Sequence, residues 1–415
     1  MTNRSKSQQL RTCMVVINYF PFGEPRVERE ADALVRHGIN VDVICLHYEG
    51  EPKQEAISGV NIYRLPMRRR KGRGMAAQLV EYLLFFALAF VKLTSLHLRH
   101  RYNAVQVHNL PDFLIFAALV PKLTGCRLIL DLHDLMPEFY LSRFKDTPNG
   151  WRPRLLRWQE RLSCRFADHV ITVTELWRQT LIKRGVPAAK CTVVMNLADG
   201  RIFTSSLKQY ATTSNNGRFH IIYHGQLTQR YGIDLLLRAL DLVRRDIPEV
   251  TLTVHGRGEY LDTLLQLANE LGLSNHIEFS DHYVPTAEMP NLICAADVGV
   301  VPYRRDIFTD GILPTKLMEY AALGMPAIVA RTPCITAYFD ETMVEYFAAE
   351  DIEDLARCIK SLYHNRLHLS DIARSIQKFN ECYNWTSHQN VYVNLVKELT
   401  LHKSQSSASP KGVSL

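Results

Sequence analysis

A short apolar run without alternation, closed by a polar residue and followed by a helical pattern, recurs along the whole chain. This repeat restricts the fold more than any other feature. Its first copy is TCMVVIN, residues 12–18; a Pro/Gly turn, NYFPFGEP, follows, then a helix expected over 27–37, stopped by Gly38, and the strand NVDVICL. AVQVHN, RLILDLH, HVITVT and CTVVMN continue the rhythm. Strands that are apolar on both faces and separated by helices belong to a parallel sheet covered on both sides. The polar stretch 204–217 has no periodic apolar face and reads as a linker. Beyond it a second series begins: FHIIYHG, VTLTVHG, HIEFS, ADVGVVP, PAIVA and MVEYF. The expected fold is α/β, with two Rossmann-like doubly wound domains over 1–205 and 218–384 and a linker at 206–217. A terminal helix, 385–402, is expected to pack back on the first domain, followed by a disordered tail at 403–415.

Composition sets the class. The 415 residues suffice for two cores, and 47% hydrophobic with 22% charged residues is the balance of a soluble globular protein. A net charge of +7 permits an anionic ligand or an anionic membrane face and does not call for nucleic acid. Nine cysteines without a C-x-x-C pair read as small core residues in a reducing compartment. The polar start, MTNRSKSQQLRT, has no apolar signal core, so a cytoplasmic location is expected. A basic run at 68–73, opened by Arg68 and closed by Arg73, precedes an apolar helix expected over 78–98, from Gln78 to Leu98. Its uninterrupted apolar core, 82–91, falls short of the ~20 residues that span a bilayer. Two readings stand: a buried helix beside a solvated basic loop, or an interfacial helix on an anionic leaflet at the inner face of the plasma membrane.

Doubly wound sheets bind ligands at the carboxyl ends of their strands. There this sequence places Gly23 after the first strand, and His108, Asn109 and Asp112 after another. Asp131, His133, Asp134 and Glu138 follow a third. In the second half stand His224, Gly225 and Arg230, then Gly256 and Gly258, then Asp310, Gly311, Lys316 and Glu319. A phosphate wants backbone N–H groups at a helix start, room for close approach, and a cation. The segments 225–232 and 311–316 offer all three, with Arg230 and Lys316 as the cations. Each residue also has a plainer reading. His108 suits a core or capping histidine, Gly256-x-Gly258 a tight turn, and Lys316 with Glu319 an i,i+3 surface pair.

HGQLTQRYGIDLLLRAL, ADVGVVPYRRD and LPTKLMEYAALGMPAIVA, with NAVQVHNLPD, LILDLHDLMPE and ADHVITVTELWRQTLIKRGVP, resemble glycosyltransferase family 4, retaining enzymes of the GT-B fold. The similarity extends from about Cys13 to Leu401 and is of the bacterial polysaccharide group 1 type. It implies sugar transfer from a nucleoside-diphosphate sugar to a saccharide or polyisoprenoid-linked acceptor, without a metal or other cofactor. Glu319 matches the second glutamate of the family's pair, which holds the donor ribose. Gly225 matches the glycine at the diphosphate, and Gly23 the closing first loop. His133, with Asp134 beside it, matches the histidine at the reaction centre, while His108 and Asn109 are expected to meet the acceptor. Three departures stand out. Gly311 replaces the first glutamate, with Asp310 as the candidate substitute; Gln226 replaces an arginine; and Tyr231 replaces a lysine. Arg230 and Lys316 are expected to supply the missing charges. The competing functions are a nucleotide-sugar epimerase on the same plan and a non-catalytic binding protein. A dinucleotide oxidoreductase is disfavoured, because the first strand leads into NYFPFGEP and not G-x-G-x-x-G.

Overall fold

The computed structural model describes residues 9–21, 23–68, 74–204, 218–282 and 284–406. The expected linker at 206–217, all but Arg68 of the basic run, and the tail beyond 406 lie outside the described residues. The chain divides into two compact units: one runs through Met195 and resumes at His388, the other is Asn196–Ser387. The division falls ahead of residue 205 for a packing reason. Leu197 and Phe203 are buried, and with Met318, Ala322 and Phe379 they line a cavity of about 350 Å³ in the second unit.

In the first unit β1 (Arg11–Tyr19), α1 (Pro25–Arg36), β2 (Asn40–Leu46), β3 (Gln54–Ile57), β4 (Val60–Leu65), α2 (Met75–His100) and β5 (Ala104–His108) come first. A 3-10 segment, Asp112–Ala118, leads into α3 (Leu119–Leu123), β6 (Arg127–Leu132), α4 (Met136–Phe144), α5 (Trp151–Phe166), β7 (His169–Thr172), α6 (Glu175–Lys183) and β8 (Cys191–Val193). The sheet order is β3-β4-β2-β1-β5-β6-β7-β8, parallel throughout except for β3 against β4. Cys13 to Ile17 are buried on both faces of the sheet, which is why that run does not alternate. Helix α1 starts earlier than its apolar pattern suggests, because Pro25 is well suited to a first helical turn. It stops where Gly38 adopts a φ of 78°.

The β3–β4 hairpin left no signal in the sequence reading. β3 has four residues at the sheet edge, exposed and half-buried in turn, so it carries no apolar run. Helix α2 is 26 residues long, and residues 76–100 are long and apolar enough to cross a membrane by length and composition. The helix extends past Glu81 and Lys92, which the expected apolar core of 82–91 took as its limits. One face, with Tyr82, Phe85, Ala89, Leu93 and Leu96, is buried against the sheet; the other leaves Leu79, Val80, Leu83, Leu84 and Val91 exposed. All nine cysteines are free and seven are buried, in keeping with their reading as core residues.

The second unit continues with β9 (Phe219–His224), α7 (Ile233–Val243), β10 (Val250–His255), α8 (Leu261–Glu270), β11 (Ile277–Ser280), α9 (Met289–Cys294), β12 (Val298–Val301), α10 (Thr315–Leu323), β13 (Ala327–Ala330), α11 (Pro333–Tyr338) and β14 (Glu345–Phe347). Helices α12 (Ile352–His364), α13 (Arg366–Ser375), α14 (Lys378–Cys382) and α15 (Trp385–Ser406) complete the chain. The sheet is parallel in the order β11-β10-β9-β12-β13-β14, so the winding direction reverses between β9 and β12. From His388 onward α15 belongs to the first unit, where Tyr392, Val393 and Val396 are buried. Both units are Rossmann-like, and the fold class is the one read from the sequence.

The two faces of α2 can be told apart by mutation. Phe85→Ala is expected to lower stability to urea unfolding by about 3–5 kcal/mol through lost burial and a cavity. Leu83→Ser, on the exposed face, should stay within about 0.5 kcal/mol of the parent.

Candidate functional site

The residues picked out in the second half converge at the carboxyl ends of β9 and β10, beside the point where the winding reverses. The register of the two strands continues into their loops: Gly225 N–H donates to His255 O at 2.9 Å and Leu227 N–H to Arg257 O at 2.9 Å. The backbones come so close that a Cβ on Gly256 would lie 1.8 Å from Gly225 O, and one on Gly258 1.9 Å from Leu227 O. The first role of Gly256 and Gly258 is therefore loop-on-loop contact. Gly225 has a φ of 120°, and a Cβ there would reach to 3.5 Å from Lys316 Nζ. The missing side chain leaves the β9 loop backbone open beside that amine.

Lys316 lies in the first turn of α10 and is buried. Its Nζ donates to Tyr303 Oη at 3.0 Å. It also sits 4.7, 4.9 and 5.2 Å from the ring centres of Tyr223, Tyr303 and Tyr231. Tyr231 and Tyr303 stack on each other at 4.5 Å, and Tyr223 Oη donates to Gln226 O at 2.8 Å, fixing the loop. Burial pushes the Lys316 amine down to about 7, with Glu319 opposing. The cage of π faces attracts the ammonium form without neutralising its charge. It is not a surface partner of Glu319.

Glu319 points to the end of β9, where His224 Nε2 donates to its Oε2 at 2.6 Å. His224 Nδ1 faces the Tyr320 hydroxyl at 3.1 Å. The Glu319 side chain keeps 24% exposure. Arg230 sits in the 3-10 turn Gln229–Tyr231, its guanidinium 5.4 Å from the Phe308 ring centre. Asp310, the expected substitute for the missing glutamate, is committed elsewhere: its two oxygens accept Arg305 Nε at 3.0 Å and Nη2 at 2.8 Å. Gly311 is buried in the same short turn.

In the first unit the cluster forms around Asp131, fully buried on β6. Arg26 holds it with a two-point contact, Nε to Oδ2 at 3.0 Å and Nη2 to Oδ1 at 2.9 Å, and also reaches Glu30 at 3.1 Å. Gln106 Nε2 donates to Glu30 at 2.7 Å, and its Oε1 accepts Tyr392 Oη at 2.6 Å, which ties α15 into the network. His133 Nε2 lies 3.4 Å from Asp131 Oδ2 and 3.0 Å from His108 Nδ1. Its Nδ1 lies 4.0 Å from Glu24 in the loop after β1. Burial works against the imidazolium, but the charge and hydrogen bond of Asp131, with Glu24, outweigh it and raise the His133 pKa. Burial likewise opposes ionisation of Asp131, yet Arg26 and the two histidines hold it well below the usual carboxylate range.

This geometry changes several expected roles. His108 is wholly buried against Asp131, so it orients His133 and presents no face to an acceptor. Asn109 is also committed: its Nδ2 donates to Asp112 at 2.9 Å and Asp134 O at 2.6 Å, while its Oδ1 accepts the His133 N–H at 2.8 Å. It shapes the loop that carries His133 and the half-buried Asp134. Gly23 makes the turn after β1, where a Cβ would meet Tyr19 O at 2.6 Å. Glu138 pairs with Arg184, which also holds Glu160. The ligand atoms of His108, Asp131 and His133 lie within 4.8 Å of one another, a spacing a metal ion could bridge. Asp131 already answers the positive charge of Arg26 with both oxygens. Arg26, Gln106, Tyr392, Tyr223 and Tyr303 were not picked out from sequence, and Tyr231 was noted only as standing in place of a lysine. Arg26, Gln106 and Tyr223 each stand within three residues of one that was: Gly23, His108 and His224.

Both halves match known families. Residues 23–196 match the model of the glycosyl transferase 4-like domain, and residues 207–379 that of the glycosyl transferases group 1. The chain is 24% identical over 320 residues to the chitobiosyldiphosphodolichol beta-mannosyltransferase of Debaryomyces hansenii, covering 70% of this chain and 66% of that enzyme. It is 33% identical over 117 residues to a GDP-mannose-dependent alpha-(1-6)-phosphatidylinositol monomannoside mannosyltransferase of Mycolicibacterium smegmatis, covering 27% of this chain and 30% of the relative. The alignments thus span just under two thirds and under one third of these relatives' lengths. The Anabaena protein HepE, solved with UDP-glucose, has the same fold, with a TM-score of 0.68 at 15% identity over 94% of this chain and 100% of that one.

Arg26→Ala would leave Asp131 and Glu30 buried without their cation. Urea unfolding should show a loss of about 3–5 kcal/mol. Arg26→Lys should recover only part of it, since an ammonium lacks the two-point fork.

Proposed function

The chain belongs to the group 1 glycosyltransferases, with a family 4-like N-terminal domain and the GT-B fold, and from this we propose its donor, acceptor and stereochemistry. The donor is a nucleoside-diphosphate sugar, the acceptor a saccharide or lipid-linked saccharide, and the anomeric configuration is retained. One observation carries the reading: Gly225, at the end of β9, lies against the buried amine of Lys316, with Glu319 one helical turn away. A diphosphate at this loop meets backbone N–H groups, the start of α10 and a cation in a site of low polarity. As the sugar leaves, charge grows on the diphosphate, and an ammonium already in place stabilises that change more than the ground state. Glu319, held on one oxygen by His224, has its other oxygen for a ribose hydroxyl. Arg230 adds charge from the neighbouring turn.

The names of the relatives support the substrate classes. The mycobacterial enzyme is GDP-mannose-dependent, HepE was solved with UDP-glucose, and the yeast enzyme's name gives a dolichol-linked acceptor. We place the activity in cell-surface polysaccharide or glycoconjugate synthesis, on the cytoplasmic side of a membrane and without a metal cofactor. Calorimetry against UDP-, GDP- and ADP-sugars should find one donor that binds, and that donor should then be transferred or hydrolysed. Binding by none would overturn the reading, and binding without turnover would favour the non-catalytic alternative. Nuclear magnetic resonance of the product from an α-linked donor should show an α linkage; a β product would exclude retention. Turnover should survive EDTA.

Lys316 gives a pH test. Its amine is neutral above about 7, whereas the bound anion requires the ammonium, so donor binding takes up a proton. Neither phosphate of an intact sugar nucleotide titrates near neutrality. Donor Kd should therefore be flat below pH 7 and rise above it, by up to about tenfold per pH unit. Lys316→Met should raise donor KM by about tenfold or more and abolish this rise. Unchanged kinetics in the variant would remove Lys316 from the donor site.

A further inference from the structure

Helix α5 carries a stripe that the fold does not use. Trp151, Leu155, Trp158 and Leu162 recur at i, i+4, i+7 and i+11, which places them within an arc of about 60°. All four are exposed, Trp151 to 70% and Trp158 to 60%. Arg154, Arg161 and Arg165 are exposed along one flank and Arg152 along the other. The helix has one acidic residue, Glu160, and it is buried against Arg184. Large apolar side chains normally leave water on folding; a row of four with cations along both edges marks a surface that meets something.

The stripe does not stand alone. The crossovers β4 to β5, β5 to β6 and β6 to β7 all advance in one direction along the sheet. Right-handed connections therefore set α2, α3 and α5 on the same face. The contacts agree, since all three helices pack on the 3-10 segment Asp112–Ala118. On this face α3 exposes Leu119 and Leu123, and α2 exposes Leu83, Leu84 and Val91. The apolar residues of three neighbouring helices thus share one side of the first unit.

We propose that this face docks on an anionic lipid bilayer, with α5 lying in the headgroup layer and Trp151 and Trp158 as its anchors. Tryptophan suits that layer because its ring is amphipathic. Arginine flanks suit it because guanidinium groups pair with lipid phosphates two bonds at a time. The same chemistry argues against a second copy of the chain as the occupant. A twofold contact through α5 would set its arginines against their own copies, with no exposed acid on the helix to answer them. This inference does not depend on the identity of the donor or on transfer itself.

The sequence supplies its own probe. Of four tryptophans, Trp177 and Trp385 are buried, so a change in emission on binding reports α5. The full chain is mixed with phosphatidylcholine vesicles, with and without phosphatidylglycerol, and followed by flotation, emission and quenching by brominated lipids. The expected result is binding to the anionic vesicles only, with a blue shift and quenching. Trp151→Ser with Trp158→Ser should weaken binding about tenfold or more at unchanged melting temperature. Arg154→Glu with Arg161→Glu should do the same and flatten the salt dependence. No binding to anionic vesicles would overturn the proposal, as would binding without a blue shift that both variants retain. Dimerisation in the absence of vesicles, lost in both variants, would assign the face to a second copy and overturn the lipid.

Discussion

Asp131 sits on a central strand of a parallel sheet with no access to water, and Arg26 is the charge that makes this position tolerable. A bare carboxylate there would be protonated or expelled; one gripped at both oxygens by a guanidinium stays ionised. The rest of the first unit's polar cluster follows from that pair. An ionised Asp131 fixes the orientation of His108 and His133 and raises the His133 pKa. Glu30 balances the second face of Arg26, and Gln106 joins Glu30 to Tyr392 of the terminal helix. The hydrogen bonds thus connect α1, β5 and β6 to a segment more than 250 residues away in the chain.

The second unit solves the same problem with less charge. Its buried cation, Lys316, has no carboxylate in contact among the described residues and is held by three tyrosine rings and one hydroxyl. Burial lowers the pKa of the amine to about 7, with Glu319 opposing. An acid–base pair would have committed the charge; a cage of π faces keeps it available. The glycines at 225, 256 and 258 bring the backbone to within contact of the amine and of itself, a spacing no side chain would permit.

Much of this was legible in the chain because parallel strands announce themselves. A run such as TCMVVIN or VTLTVH is buried on both faces and has nothing polar to interrupt it, so strand positions and strand ends are visible together. Gly225 and His133, which follow such runs, do lie at the carboxyl ends, and Lys316 and Glu319 of α10 meet the end of β9 there. The β3–β4 hairpin escaped because a short edge strand needs no apolar run. Asp310 and Asn109 stood at suitable positions, but their side chains were claimed by partners close by, Arg305 and the loop at 133–134. Chain position alone does not reveal such commitments.

What the sequence determined by itself was the order of strands and helices, the two sheets they imply, and the family to which both halves belong. Periodicity and motif are local, and each short stretch carries its own part of them. What only the tertiary structure decided was the set of side chains that meet: Arg26 with Asp131, Tyr392 with Gln106, and three tyrosines around one lysine. These partners are separated by tens to hundreds of residues, and a side chain's charge and direction depend on neighbours that the folded sheet alone brings into reach. The exposed stripe on α5 belongs to the same class. Trp151 and Trp158 are large apolar residues, and only the fold shows that they were left outside.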